Sequence, residues 1–259
     1  MSWKRFVKTT LKKYDVGISR YTTLEQLRED AKARIDLDLL LTLPQRHSAQ
    51  LLSHLADSKS QIRQDLFVLS ELDFKRDGYF VEFGATNGVT LSNTHLLEKK
   101  FGWNGILAEP ARCWHADLKN NRSAIIETDC VWKDSTSVLT FNEVNEAELS
   151  TINLFGSSDI HRTARTKGRM YDVKTISLND LLTKYNAPRQ IDFLSIDTEG
   201  SELEILRAFD FDRHDFRVIT CEHNFTPMRE EIFTLLSANG YVRKYQEISR
   251  FDDWYVKVR

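Results

Sequence analysis

Several short apolar runs in this chain end in acidic residues. Tyr79-Phe80-Val81-Glu82-Phe83-Gly84 carries Glu82 just ahead of a glycine turn. Gly105-Ile106-Leu107-Ala108-Glu109-Pro110 ends on Glu109, and the run near Ala124 ends at Glu127-Thr128-Asp129. Ile191–Ile196 leads into Asp197-Thr198-Glu199-Gly200, and Arg217–Cys221 leads into Glu222-His223-Asn224. Carboxylates at strand ends can accept hydrogen bonds from amines and hydroxyls, hold a hard cation through oxygen, or take a proton from a reacting group.

The first of these sites is the most informative. Glu82-Phe83-Gly84-Ala85-Thr86-Asn87-Gly88 is an acid followed by two glycines four positions apart. Glycine lets the backbone come close to a ligand at a strand-to-helix turn. Thr86 occupies the place of the middle glycine in a GxGxxG fingerprint, which disfavours the tight pyrophosphate turn of a dinucleotide site. A ligand without phosphates, such as S-adenosylmethionine, suits the turn better, with Glu82 facing its cationic amino-acid end. The plainer reading is a tight turn with no ligand. Glu109, 25 positions beyond Gly84, can accept from both ribose hydroxyls of a nucleoside; otherwise it is a surface carboxylate before a proline. Asp129 is placed to accept from an adenine amino group, or is an exposed loop aspartate.

A second group forms at the next two strand ends. Asp197, Glu199, Glu222, His223 and Asn224 could hold a divalent cation or supply a general base. Glu202 falls in a first helical turn, where an anion complements the helix dipole. A structural role for His223 stays open.

The elements that must position these groups follow from periodicity. After residue 60, apolar runs at 79–83, 105–108, 124–127, 138–141, 191–196, 217–221, 241–245 and 254–258 alternate with helical stretches at 62–72, 91–100, 111–119, 178–185, 201–207 and 227–238. That alternation predicts a mostly parallel sheet covered by helices, an α/β fold. The last two strands have hairpin spacing, so one should run antiparallel. Residues 142–172 break the rhythm, and a long irregular segment in a compact domain is usually functional or mobile. Its His161, Arg162, Arg165, Lys167 and Arg169 could grip an anionic acceptor. Near the chain's end, Asp253, Trp254 and Tyr255 could line the acceptor side, or Trp254 could pack in the core.

Before residue 60 the pattern is helical, from Leu24 through Leu27, Ala31, Ile35 and Leu39, and Pro44 interrupts it. A soft boundary near residue 60 divides a helical extension, 1–60, from a main domain, 61–259. The extension holds eleven Lys/Arg against seven Asp/Glu. Residues 1–20 read as a short basic helix on the body, or as an interfacial helix touching an anionic membrane through Trp3, Val7 and Leu11. Capping and homo-oligomer formation are the roles expected of the extension as a whole.

Composition closes off other classes. The 259 residues carry a net charge of −2 with 41% hydrophobic and 29% charged residues, which excludes a disordered or collagenous chain. No apolar run approaches the ~20 residues of a membrane helix. The near balance of charge argues against a nucleic-acid binder. Cys113, Cys130 and Cys221 form no CxxC pair, so buried thiols in a reducing cytoplasm are expected. The N-terminus shows no signal-peptide pattern. The expected location is cytoplasmic, with the inner membrane face as the variant that residues 1–20 allow.

Taken together, Ser60-Gln61…Gln64-Asp65-Leu66, Phe80-Val81-Glu82-Phe83-Gly84, Leu91-Ser92-Asn93-Thr94, Leu97-Glu98, Gly102-Trp103-Asn104-Gly105, Glu109-Pro110 and Ile196-Asp197-Thr198-Glu199-Gly200 with Glu202 resemble the FkbM-type S-adenosylmethionine-dependent methyltransferases. The resemblance implies a Rossmann-like methyltransferase fold with a seven-stranded sheet. It also implies O-methylation of hydroxyls, often on sugars of surface polysaccharides, glycolipids or nucleotide-sugars, and sometimes on polyketides or other small metabolites. Carried over by motif, Glu82, Gly84, Gly88 and Glu109 contact the cofactor, with Ala85 and Asn87 in the same turn. Asn93 and Thr94 border that pocket, and Asp197, Glu199 and Glu222-His223 border the acceptor. His223 is the preferred base, an imidazole being partly neutral near pH 7. The alternative is Mg²⁺ held by Asp197 and Glu222 or Asn224, in positions similar to those of the metal ligands of catechol O-methyltransferase. A nicotinamide-dependent oxidoreductase and a non-catalytic scaffold are the competing classes.

Overall fold

The computed structural model describes residues 20–144, 151–152 and 168–258. The chain divides into two compact units, 1–38 and 39–259. The expected boundary near residue 60 thus differs from the structural one. Leu39, Leu43 and Leu51 are buried, so the segment before residue 60 contributes core to the larger unit. Helix α1 (Tyr21–Thr42) stops just before Pro44, which cannot continue a helix. Residues 1–19 lie outside the described residues, and with them most of the expected basic helix.

The larger unit continues through α2 (Ser48–His54), α3 (Gln64–Glu71), β1 (Tyr79–Phe83), α4 (His95–Phe101), β2 (Asn104–Ala108), α5 (His115–Asn121) and β3 (Ile125–Glu127). Then come β4 (Cys130–Trp132), β5 (Val138–Glu143), β6 (Thr151–Ile152), β7 (Arg169–Ser177), α6 (Leu178–Lys184), β8 (Gln190–Ile196) and α7 (Glu202–Arg207). The chain closes with β9 (Asp215–Glu222), α8 (Met228–Ala238), β10 (Tyr241–Lys244), α9 (Gln246–Ser249) and β11 (Asp252–Lys257).

The main sheet has seven strands in the order β10-β11-β9-β8-β1-β2-β3. All neighbours are parallel except at β11, which runs antiparallel to both β9 and β10. This is the Rossmann-like methyltransferase arrangement, with the expected antiparallel member. Four of the five residues of β1 and of β2, and six of the seven of β8, are buried. Strands apolar on successive residues must be covered on both faces, which is why the sheet is parallel and the helices cross over it. Val81, Ile106, Leu194, Ile196 and Ile219 sit in this core. Strand order reverses beside β1, because β8 pairs with one edge of β1 and β2 with the other. A crevice opens there at the carboxyl ends of the strands.

The run 138–141 does not join this sheet. It belongs to a second sheet ordered β4-β7-β5-β6. Arg169–Ser177, expected in part as an irregular segment, is its longest strand. Tyr171, Val173 and Thr175 alternate there with more exposed Asp172 and Lys174, a period-two pattern that its charges disguise.

Candidate active site

A cavity of about 330 Å³ opens at the carboxyl ends of β1, β2, β8 and β9. Its walls include Glu82, Gly84, Asn93 and Glu109 on one side, and Asp197, Glu199, Glu222 and Asn224 on the other. The second sheet supplies an apolar wall through Cys130, Val131, Phe141 and Ile152.

The Gly84 turn exists because nothing larger fits. Gly84 has φ +74°, and a Cβ there would stand 2.2 Å from the carbonyl oxygen of Asp197. The two strand ends therefore touch through backbone, which joins the two sides of the cavity. Gly88 also has positive φ, and its Cβ would meet the Arg122 side chain at 2.5 Å. Asn87 caps the turn by accepting from the N–H groups of Val89 and Thr90. Ala85 is buried behind the turn. Ala85, Asn87, Gly88 and Thr94 shape the wall but do not line the cavity.

Glu82 is buried, and both of its oxygens are occupied. One accepts from the Asn93 N–H, the other from the hydroxyls of Ser92 and Thr94. Burial raises its pKa, and nearby Arg122 and these donors oppose the rise. Its carboxylate thus fixes the 92–94 loop rather than waiting free for a cationic ligand. That loop holds Asn93 with its amide nitrogen on the Ser195 hydroxyl at 2.9 Å, while its buried Oδ1 has no hydrogen-bond partner among the described residues. Asn93 lines the cavity, so this oxygen is an acceptor waiting for a donor-bearing ligand. Glu109 accepts from the Thr86 and Ala111 N–H groups, both at 2.8 Å. Burial pushes its pKa up to about 7 against those bonds. Asp129 does not line the cavity; the neighbouring Cys130 does.

Arg122 was not anticipated. Its guanidinium is buried and donates to Glu98, the Gly88 carbonyl, Ser92 and Thr94. It neutralises Glu98 and lies 3.8 Å from Glu82. Nothing in its local sequence, at the end of a short helix, points to this work.

The acceptor-side carboxylates are arranged differently. One oxygen each from Asp197, Glu199 and Glu222 lies within 4.8 Å of the others. Burial pushes Asp197 up to about 7, with Glu202 adding repulsion and a hydrogen bond from Glu222 opposing it. Burial raises Glu222 well above the usual range, and Asp197 and Glu199 add to the rise. Both carboxyls are thus held above the usual carboxylate range, and they titrate as one coupled pair. Glu202 takes the structural role its position suggested. It accepts from Thr198 and Gly200 and holds the loop after β8. Of the residues expected to hold a cation, Asp197 and Glu222 come together. Asn224 instead donates its amide to Glu199 at 3.4 Å, and Glu199 takes the third place in the cluster.

The imidazole of His223 is placed elsewhere than expected. It does not line this cavity. Its Nδ1 accepts from the Phe225 N–H at 3.0 Å, and its Nε2 faces Asp253 at 3.8 Å. Asp253 is itself bound by Arg229 and Arg243. Trp254 and Tyr255 are fully buried, Trp254 stacking on Phe67, so both are core residues. Of the cationic group expected on the long segment, Arg169 is an exposed residue of β7, and the other four members lie outside the described residues.

The FkbM methyltransferase domain family matches residues 82–243. The chain belongs to this family. The matched span runs from Glu82 into β10 and so contains both halves of the site. FkbM methyltransferases take the transferred methyl from S-adenosylmethionine. The walls fit this donor, which offers an ammonium and ribose hydroxyls to acceptor atoms such as Asn93 Oδ1 and Glu109. Among solved structures, the chain is similar to a precorrin-6y C5,15-methyltransferase from Geobacter metallireducens, at 13% identity over 74% of this chain and 85% of that one, with a TM-score of 0.41. It is also similar to a TehB-like SAM-dependent methyltransferase from Corynebacterium glutamicum, at 10% identity over 83% and 97%, with a TM-score of 0.38. No curated protein matches the chain.

Proposed function

We propose that this methyltransferase transfers its methyl group to a hydroxyl of a sugar, in a surface polysaccharide, a glycolipid or a nucleotide-sugar. The observation that carries the reading is the Asp197–Glu199–Glu222 cluster on the cavity wall, joined to the cofactor turn through the Gly84–Asp197 contact. Bound S-adenosylmethionine supplies an electrophilic methyl group. The protein's task is to align a hydroxyl with it and remove the hydroxyl proton. Asp197 is the base, since its pKa is pushed up to about 7 and a base is most effective near the working pH. Glu222 donates to Asp197 and orients it. With the donor bound, the Asp197 carboxylate would take the hydroxyl proton as the methyl passes from sulfur to the hydroxyl oxygen, S-adenosylhomocysteine being the leaving group. His223 is set aside as base because its ring does not line the cavity and its Nδ1 serves the turn.

A second reading of the same cluster has Mg²⁺ on Asp197, Glu199 and Glu222. The donor set suits a hard cation, which would acidify the hydroxyl by direct contact. A polyketide or other small hydroxylated metabolite is the alternative acceptor class. No described helix is long and apolar enough to cross a membrane. Cytoplasmic location, membrane contact by residues 1–20 and homo-oligomerisation remain part of the proposal.

The test is a screen with methyl-labelled S-adenosylmethionine against nucleotide-sugars, glycolipid extracts and hydroxylated metabolites. Mass spectrometry should find a gain of one CH₂ on a sugar. Label confined to a non-sugar metabolite would move the function to the alternative. Thermal melts with added Mg²⁺ separate the two readings of the cluster: a cation-dependent rise that vanishes in Asp197→Asn supports the metal.

A further inference from the structure

A large apolar side chain stands in water at the mouth of the cavity. Phe225 is 69% exposed, yet it lines the cavity. A single exposed aromatic needs no explanation by itself; its backbone does. Asn224 and Phe225 lie consecutively in the left-handed region, at φ 42° and 57°. That region is costly for a bulky residue and persists only where the surroundings impose it.

The surroundings here are specific. The Phe225 N–H donates to His223 Nδ1 at 3.0 Å, and the His223 ring meets the Phe225 ring edge-on with centroids 5.3 Å apart. The His223 and Asn224 N–H groups both donate to the Phe251 carbonyl, and the Thr226 N–H and hydroxyl both donate to the His223 carbonyl. A side-chain acceptor bonding the N–H two residues on is the geometry of an Asx turn, here made by an imidazole. The consequence is a backbone that holds the phenyl ring in the wall of the cavity that Asp197, Glu199 and Glu222 also line. An acceptor presenting hydroxyls on one side and a C–H face on the other matches both walls. A pyranose ring has that shape.

Resting on the reading in Proposed function, we propose that Phe225 is the platform on which the acceptor's sugar ring lies, and that His223 is a positioning residue that holds this platform through its turn. The imidazole transfers no proton in the reaction. The role is distinct from that of Asp197: it governs acceptor binding, not the chemical step.

The experiment uses full-length protein with S-adenosylhomocysteine bound. Saturation-transfer NMR is recorded with the methyl glycosides of glucose, galactose, mannose and rhamnose as probes. Calorimetry with S-adenosylhomocysteine checks that each variant keeps its cofactor site. Phe225→Ala and His223→Ala should each lose about fivefold of the saturation of the ring protons. Phe225→Tyr should keep it, and so should His223→Asn, whose side-chain oxygen can accept from the residue-225 N–H. With an active acceptor, the loss in Phe225→Ala should appear in KM and leave kcat in place. The proposal falls if Phe225→Ala binds the glycosides like wild type, or if His223→Asn loses as much as His223→Ala. If wild type binds S-adenosylhomocysteine but none of the glycosides, the sugar reading itself has failed, and the platform with it. If a variant loses cofactor heat as well, hydrogen exchange of the residue-225 amide decides: protection in His223→Asn and not in His223→Ala supports the turn, and equal exchange overturns it.

Discussion

Carboxylates line both sides of the cavity, buried apart from the half-buried Asp197, but the two sets are satisfied in different ways. On the cofactor side Glu82 and Glu109 each accept at least two hydrogen bonds from surrounding protein, and Arg122 lies within reach of Glu82. Burial raises these acids, and donors pull them back. On the acceptor side Asp197, Glu199 and Glu222 crowd together. Repulsion from Glu202 adds to burial at Asp197, which a hydrogen bond from Glu222 eases, and repulsion from Asp197 and Glu199 adds to burial at Glu222. The first set is architecture: its carboxylates hold the turn after β1, the 92–94 loop and the backbone at Ala111. The second is held at a cost to stability, which is the usual condition of groups kept for chemistry.

This contrast breaks first at Asp197. Asp197→Asn should lower kcat by about 10²–10⁴ while raising the thermal midpoint, because Glu222 can still donate to the remaining oxygen and one repelling charge is gone. Initial rates and melts on the same sample check both signs. A stable variant with full activity would remove Asp197 from the chemistry.

Gly84 is the seam between the two sides. Gly84→Ala places a methyl group 2.2 Å from the Asp197 carbonyl at a residue with φ +74°. The clash is with backbone and cannot be relieved by a rotamer. A loss of about 3 kcal/mol, or roughly a hundredfold in cofactor affinity, is expected, read by calorimetry with S-adenosylhomocysteine. Glu109→Gln should cost less, about 1–3 kcal/mol of stability. Its amide can accept from only one of the Thr86 and Ala111 N–H groups and turns a donor toward the other. Here the melt should fall, opposite in sign to Asp197→Asn, and that opposition is the sharpest statement of the comparison.

The strand ends were legible in sequence because each function there is local. An apolar run, a glycine or acid, and the start of a helix are contiguous, as at Phe83-Gly84 and Ile196-Asp197. The sheet followed from the same rhythm, including the antiparallel strand read from hairpin spacing. Partnerships across the chain were not legible. Arg122 binds groups 24 to 34 positions away, and Gln64 binds Asp252 at a separation of 188. Residue type points to His223, but its direction is set by the turn at Asn224 and Phe225; asparagine tolerates the left-handed region, while nothing in the sequence announces it at Phe225. The second sheet was hidden because β7 mixes Arg169, Asp172 and Lys174 into its alternation.

The last effect is a matter of pH. Asp197 has an ordinary pKa of 3.8 and one of about 7 in the folded protein. Between those values the folded state binds a proton at this site that the unfolded chain has released, so the group's contribution to stability falls as pH rises through that window and is flat above it. Asp197→Asn removes this dependence. Its gain in thermal midpoint over wild type should therefore be larger near about pH 8 than near about pH 5. A gain independent of pH would mean that Asp197 is ionised throughout, as a bound cation would enforce. Repeating the melts after chelation then discriminates, since removing the cation should restore the pH dependence and lower the wild-type midpoint.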